Sequence, residues 1–348
     1  MMNTLANKRS LAFHFEWNTA LVLCLLVTLL AITLIGAMSF GATSIPVLNF
    51  INGDLNDNER SLLLLIRLPR VLLAALVGAS LAVSGAAMQG LFRNPLADPG
   101  LIGISSGAAL SVAAMIVLIG PVAGILGMYG ISIAAFIGGL STALLIFKFA
   151  HLKGIFSVTY MLLAGIAINA LAGAGTGLLT YISNDEQLRT LTFWTMGSLG
   201  GALWPSVIVV LTIIVPSTIL LVRYAKQLNI LLLGEQEARY LGVNTQHLKF
   251  VIIMTTALSV GAAVAVSGII GFVGLVIPHL IRLTIGPNHR VLIPASALLG
   301  AILLVIADTV SRTVVSPAEM PVGIITSLIG GPFFLWLLLN QNALRSHA

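Results

Sequence analysis

The chain has 348 residues, 58% hydrophobic and 8% charged, with a formal net charge of +6 and a mean hydropathy of +1.07. Soluble domains carry about a quarter charged residues, so a water-soluble fold is excluded, and continuous apolar runs with few aromatics argue against a β-barrel. The single cysteine, Cys24, leaves no disulfide framework and no cysteine-based metal site.

Spanning a bilayer takes roughly 20 apolar residues per helix. Ten segments approach that length: 17–40, 62–87, 101–119, 129–150, 156–182, 205–223, 249–270, 271–285, 291–311 and 321–340. The predicted fold class is an all-α polytopic membrane protein of about ten transmembrane helices, a single domain over 1–348. Residues 1–16 form a polar leader with Lys8 and Arg9. The apolar stretch behind it exceeds the roughly 7–15 residues of a signal core, so the first span reads as uncleaved. The second span opens on RLPR (67–70), and Gly78, Ala82 and Ala86 at spacing four let helix backbones approach closely in lipid. The elbow RNPLADPG (93–100) closes it.

Span five carries Gly165, Asn169, Gly173 and Gly177 at spacing four, a face of little bulk that suits close packing or a pore wall equally. Segment 183–204, with Trp194 and Trp204, predicts a helix near the outer interface. The longest inside loop, 224–248, contains LLLGEQEARYLGV (231–243). Glu235, Glu237, Ala238, Arg239 and Leu241 predict a short amphipathic helix, punctuated by Gly234 and Gly242. Leu231, Leu232, Leu233, Tyr240 and Leu241 would leave apolar surface exposed, which suggests a partner. In GFVGLVIPHLIR (271–282), Pro278 and the glycines predict a break or kink near the inner side. The eighth segment is short, and its boundary with the seventh is open. Asp308 is the clearest intramembrane acid; Arg312, one turn further on, predicts a structural pair with it. His151, His279 and His289 show no metal-ligand spacing, so no metal site is expected.

With the N-terminus inside and ten spans alternating, all five lysines and seven of the twelve arginines fall inside. Arg60, Arg67, Arg70, Arg189 and Arg312 fall outside. This positive-inside bias puts both termini in the cytoplasm and makes the basic charge a report of topology, not of a nucleic-acid partner. VGASLAVSG (77–85) recurs as VGAAVAVSG (260–268), and the same offset pairs Pro95 with Pro278. A duplicated unit of spans 2–5 and 7–10 follows. Five spans between the copies make the repeat inverted, an arrangement common in transporters.

Three motifs stand in order along the chain: RLPR through NPLADPG, LGE-x-x-A-x-x-LGV, and GF-x-GL-x-x-PH-x-x-R. On them the chain resembles the FecCD/BtuC-like permease family of ABC importers for iron siderophores, heme and vitamin B12, over nearly its whole length. The resemblance implies a bacterial inner-membrane permease working as a homodimer. Partners would be two copies of an ATP-binding subunit, which holds ATP-Mg, and a periplasmic binding protein. It gives Arg67, Arg70 and Arg312 to binding-protein docking, at a water-facing outer rim. It gives residues 234–242, through Gly234, Glu235, Glu237, Ala238, Arg239, Leu241 and Gly242, to ATPase coupling. Span five, through Gly165, Asn169, Gly173, Gly177, Met161 and Tyr181, would line the path. The chain lacks the G-x-x-x-x-G-K-[ST] phosphate loop, so hydrolysis belongs to another subunit. TYISNDEQLRTLTFWTMGSLGGA (180–202) looks most like the heme branch, with siderophore and cobalamin as alternatives. Tyr160, Met161 and Tyr181 are residue types that can approach a heme iron. An ion-coupled transporter should show several intramembrane ionisable groups, and an enzyme a nucleophile and base; the sequence offers neither.

Overall fold

A computed structural model describes residues 19–41, 45, 52–53, 55–121, 123–151 and 156–345. The leader 1–16 and Lys153 lie outside the described residues. The helices are α1 (Thr19–Ser39), α2 (Asp57–Phe92), α3 (Ile104–Ile119), α4 (Gly124–Ala150), α5 (Val158–Ile182) and α6 (Asp185–Thr195). They continue with α7 (Trp204–Arg223), α8 (Ala225–Leu231), α9 (Glu235–Tyr240), α10 (Thr245–Ser267), α11 (Val273–Ile285), α12 (His289–Ser311) and α13 (Val322–Arg345). Among the described residues seven helices are long and apolar enough to cross a membrane, and α3, α11 and the apolar part of α13 are shorter. The ten segments expected from the sequence are all helices, so the chain is a multi-pass membrane protein.

Boundaries differ where a polar residue starts the helix. Asn56 caps α2 and exchanges hydrogen bonds with Glu59 in a capping box, so the helix begins five residues before its apolar run. Pro69 then falls inside it. Proline removes a donor and crowds the carbonyl four residues back; a widened π-helical turn over Leu62–Arg67, in which Leu68 N bonds Leu63 O, absorbs the misfit. Asn244 caps α10 and extends it back to Thr245. The inside loop holds a second helix, α8, that the sequence reading did not contain.

The repeat is legible in the packing. Helices α2, α3, α4 and α5 correspond in order to α10, α11, α12 and α13. α2 packs on α12 as α10 packs on α4, α2 on α11 as α10 on α3, and α2 packs on α10 directly. Each remaining contact within one copy has its counterpart in the other, while α1 and α7 stand outside the repeat. One detail is corrected: Pro95 lies in the elbow after α2, whereas Pro278 lies within α11. The copies share helix order but not loop lengths, so an offset fixed at the first helix drifts.

α2 is the central post. Its residues from Val71 to Leu91 are almost all buried. Gly78 and Gly300 face each other so closely that a Cβ on either would collide with the other's carbonyl oxygen. Apolar association in lipid depends on such packing. Lower down, Gly85 meets the Gly274 carbonyl, the acceptor that Pro278 leaves without its helical donor. Of the break or kink predicted from Pro278 and the glycines, the break falls at the glycine end, over Gly268–Phe272: α10 ends at Ser267, Gly268 adopts φ +67°, and Pro278 sits inside α11.

Candidate functional site

At one end of the helix bundle, α9 forms as the sequence predicted and over the expected residues. Gly234 adopts φ +135°, a backbone angle that other residues rarely take, so the turn into the helix favours glycine. Gly242, at φ +82°, turns the chain out. Ala238 is the buried foot of the helix. Glu235 fixes its orientation: one oxygen accepts from Arg239 Nη2 at 2.8 Å and the other from Lys249 Nζ at 2.8 Å. Arg239 Nε also donates to Thr245 Oγ1 at 3.1 Å. Burial pushes the Glu235 carboxyl up, but the hydrogen bonds and charges of Lys249 and Arg239 outweigh it and hold the group below its ordinary value. Leu233, Tyr240 and Leu241 point away, with Tyr240 90% exposed. Leu231 does not join them: it closes α8 and is buried.

Beneath α9 lies an aromatic corner. Phe147 and His151 on and after α4, Phe156 before α5 and Phe250 on α10 have ring centres 4.7–5.8 Å apart. His279 stacks edge-on to Phe333, and His289 Nδ1 lies 2.8 Å from Asn229 Oδ1, its ring filling the space above Gly90. Among the described residues no group of three or more His, Cys, Asp or Glu could hold a metal ion.

At the other end, the three arginines expected at a water-facing rim are buried within the chain. Arg67, Arg70 and Arg312 are 4%, 7% and 7% exposed. Arg67 donates to the Met38 and Ser39 carbonyls at the end of α1, and Arg312 donates to the Ala37 carbonyl at 2.6 Å. Helix α1 ends without its own last donors, and the two arginines supply them. Arg70 grips Asp308 with Nε 3.0 Å from Oδ1 and Nη2 3.0 Å from the same oxygen, and its Nη1 reaches Glu319 Oε1 at 2.8 Å. The predicted pair of Asp308 with Arg312 is present at 3.4 Å. It is the looser contact, because Arg70, on the helix facing Asp308 across the α2–α12 seam, approaches it squarely. Trp204 Nε1 donates to the Leu64 carbonyl at this same end.

On α5 the expected single open face is divided. Each four-residue step overshoots a turn of 3.6 residues by about 40°, so Gly165, Asn169, Gly173 and Gly177 spiral around the helix. Gly165 and Met161 are buried against the chain itself, and Asn169 accepts from Ser106 Oγ. Gly173 and Gly177 are open, and Tyr181 is 87% exposed. The open arc also carries Tyr160, Leu163, Ala167, Ala170 and Ala174.

Glu319, Lys249 and Asn229 escaped the sequence reading. Lys249 was visible only as an inside charge, because its partner Glu235 lies fourteen residues back across the turn between α9 and α10. Glu319 was a lone loop acid.

The FecCD transport family profile matches residues 25–340. The chain belongs to the FecCD transport family. It is 53% identical over 326 residues to the hemin transport system permease protein HmuU of Yersinia pestis, covering 94% of this chain and 97% of that one. It is 45% identical over 277 residues to the cobalamin import system permease protein BtuC of Halobacterium salinarum, covering 80% and 73%. A solved metal-chelate type ABC transporter in an inward-facing conformation superposes with a TM-score of 0.83 at 34% identity, covering 92% of this chain and 99% of that one.

Proposed function

We propose that this FecCD-family chain is the inner-membrane permease of an ABC importer that takes up heme, handed over by a periplasmic binding protein and driven by a separate ATPase. The observation that carries the reading is α9: a short helix clamped from below by Glu235 and Ala238, whose Tyr240, with Leu233 and Leu241 at its flanks, is exposed to solvent. A clamped helix flanked by exposed apolar side chains is suited to a cleft in a soluble partner. ATP-Mg would be held by that partner, and the end of the chain bearing α9 would be cytoplasmic, with both termini on the same side. Two ATPase copies and two permease copies follow from one docking helix per chain. The second permease would cover the open arc of α5, leaving Gly173, Gly177 and Tyr181 along the path between copies.

Heme is preferred as cargo because the similarity to the hemin permease is higher and more complete than that to the cobalamin permease. A ferric siderophore or cobalamin is the second reading, supported by the metal-chelate transporter's fold. Docking of the binding protein is assigned to the outer end, where Glu319 holds the accessible side of Arg70; a partner carboxylate would take the place of Glu319. Proteoliposomes containing permease, ATPase and binding protein should accumulate heme in the presence of ATP and ignore ferric siderophores and cobalamin. Tyr240→Asp combined with Leu241→Asp should weaken ATPase binding by tenfold or more. Unchanged ATPase binding by that variant would remove the basis of the reading.

A further inference from the structure

We propose that Lys249 is a positioning residue that carries movement of α9 into the foot of α5. It rests on the reading of α9 as the ATPase contact and of α5 as a wall of the path. Lys249 opens a membrane span, and its side chain is 3% exposed. A buried ammonium needs compensation, and here that comes from two directions. Nζ donates to Glu235 Oε2 on α9 at 2.8 Å. On the other side Nζ lies 5.1 Å from the centre of the Phe156 ring, within cation–π range. Phe156 is itself buried, two residues before α5 begins, and it packs on Phe147 and His151 at the end of α4.

One charged group thus joins the docking helix, the start of α10 and the α4–α5 corner. α9 packs on α8 and α10, and the contact through Lys249 extends its reach to α5. A flexible four-carbon stem lets the ammonium follow Glu235 when α9 tilts, while the ring keeps it against the corner. A purely structural pair would need no third member. α9 also has an independent tether, since Arg239 joins Glu235 to Thr245. Lys249 can therefore be removed without releasing α9 and without leaving a buried charge unpaired.

The test uses the assembled transporter in proteoliposomes. Lys249→Met should keep the ATPase bound and hydrolysing, while heme moved per ATP falls tenfold or more; Lys249→Arg should recover at least half. Phe156→Leu, which leaves the ion pair intact, should lower the same ratio severalfold. In a Cys24→Ser background, Ala170→Cys should show ATP-dependent labelling that Lys249→Met abolishes. Heme per ATP within twofold of the parent in Lys249→Met would overturn the proposal; if that variant does not assemble, the same result in Phe156→Leu would. Failure of the parent itself to bind an ATPase would overturn the reading of α9, and is recognisable because no variant is involved.

Discussion

The seams between α2 and α12 and between α10 and α4 are counterparts in the repeat, yet they are built differently. In the first, Gly78 and Gly300 bring two backbones together, Arg70 and Asp308 close the outer end, and His289 seats on Gly90 at the inner end. In the second, Gly261 occupies the place of Gly78 but meets the Phe136 ring at 3.5 Å, an ordinary contact. Backbone against backbone leaves nothing to yield, whereas a ring can tilt. Duplication preserved which helices meet; the residue opposite the glycine decides how stiffly. The stiff seam runs through the buried centre of the chain, and the cushioned one borders α5, most of whose surface is open.

That contrast can be broken by substitution. The largest effect is expected from Arg70→Ala, which leaves Asp308 buried with only the longer contact to Arg312; about 3 kcal/mol or more should be lost, read as a fall in thermal unfolding temperature in detergent. Next, Gly78→Ala should cost about 1–3 kcal/mol because the new methyl meets fixed backbone. Gly261→Ala, the same change at the equivalent position, should stay within about 0.5 kcal/mol. Equal losses for the two alanines would erase the distinction. The smallest effect belongs to Arg239→Ala, a half-exposed pair whose loss should cost about 0.5 kcal/mol or less.

The α9 clamp sharpens the comparison through pH. The Glu235 carboxyl is held below its ordinary value, so its stabilising contribution is complete above that ordinary range and disappears as pH falls through the depressed value. Amide protection at residues 235–240, taken relative to the intrinsic exchange rate at each pH, should therefore be unchanged between neutral pH and about pH 5, and fall only below about pH 4. A fall in protection on the way down to pH 5 would contradict the lowered carboxyl.

Much of the fold was legible because apolar length and charge bias are local properties. Helices α2 and α10 start where Asn56 and Asn244 cap, a few residues before the hydropathic edge, since a cap and the first turn are polar. Helix α9 was legible because Gly234 and Gly242 mark its ends. The outer arginines were misplaced for a different reason. An RLPR motif at a span end fits a rim equally well as a staple, and only the positions of Ala37, Met38 and Asp308 tell them apart. Equal spacing on α5 implied one face, but four residues are not a whole turn. Lys249 was hidden because only the geometry of the turn between α9 and α10 joins it to Glu235.

Pro278 leaves the Gly274 carbonyl without its donor, and Gly85 lets α2 lie against that oxygen. The place where α11 is weakest along its own axis is therefore the place where it is best seated on its neighbour. In lipid, where no water can replace a broken bond, α11 can flex at this point without surrendering a hydrogen bond it never had. Any rocking of the second half of the chain against the first has a ready fulcrum there, made by one proline and two glycines.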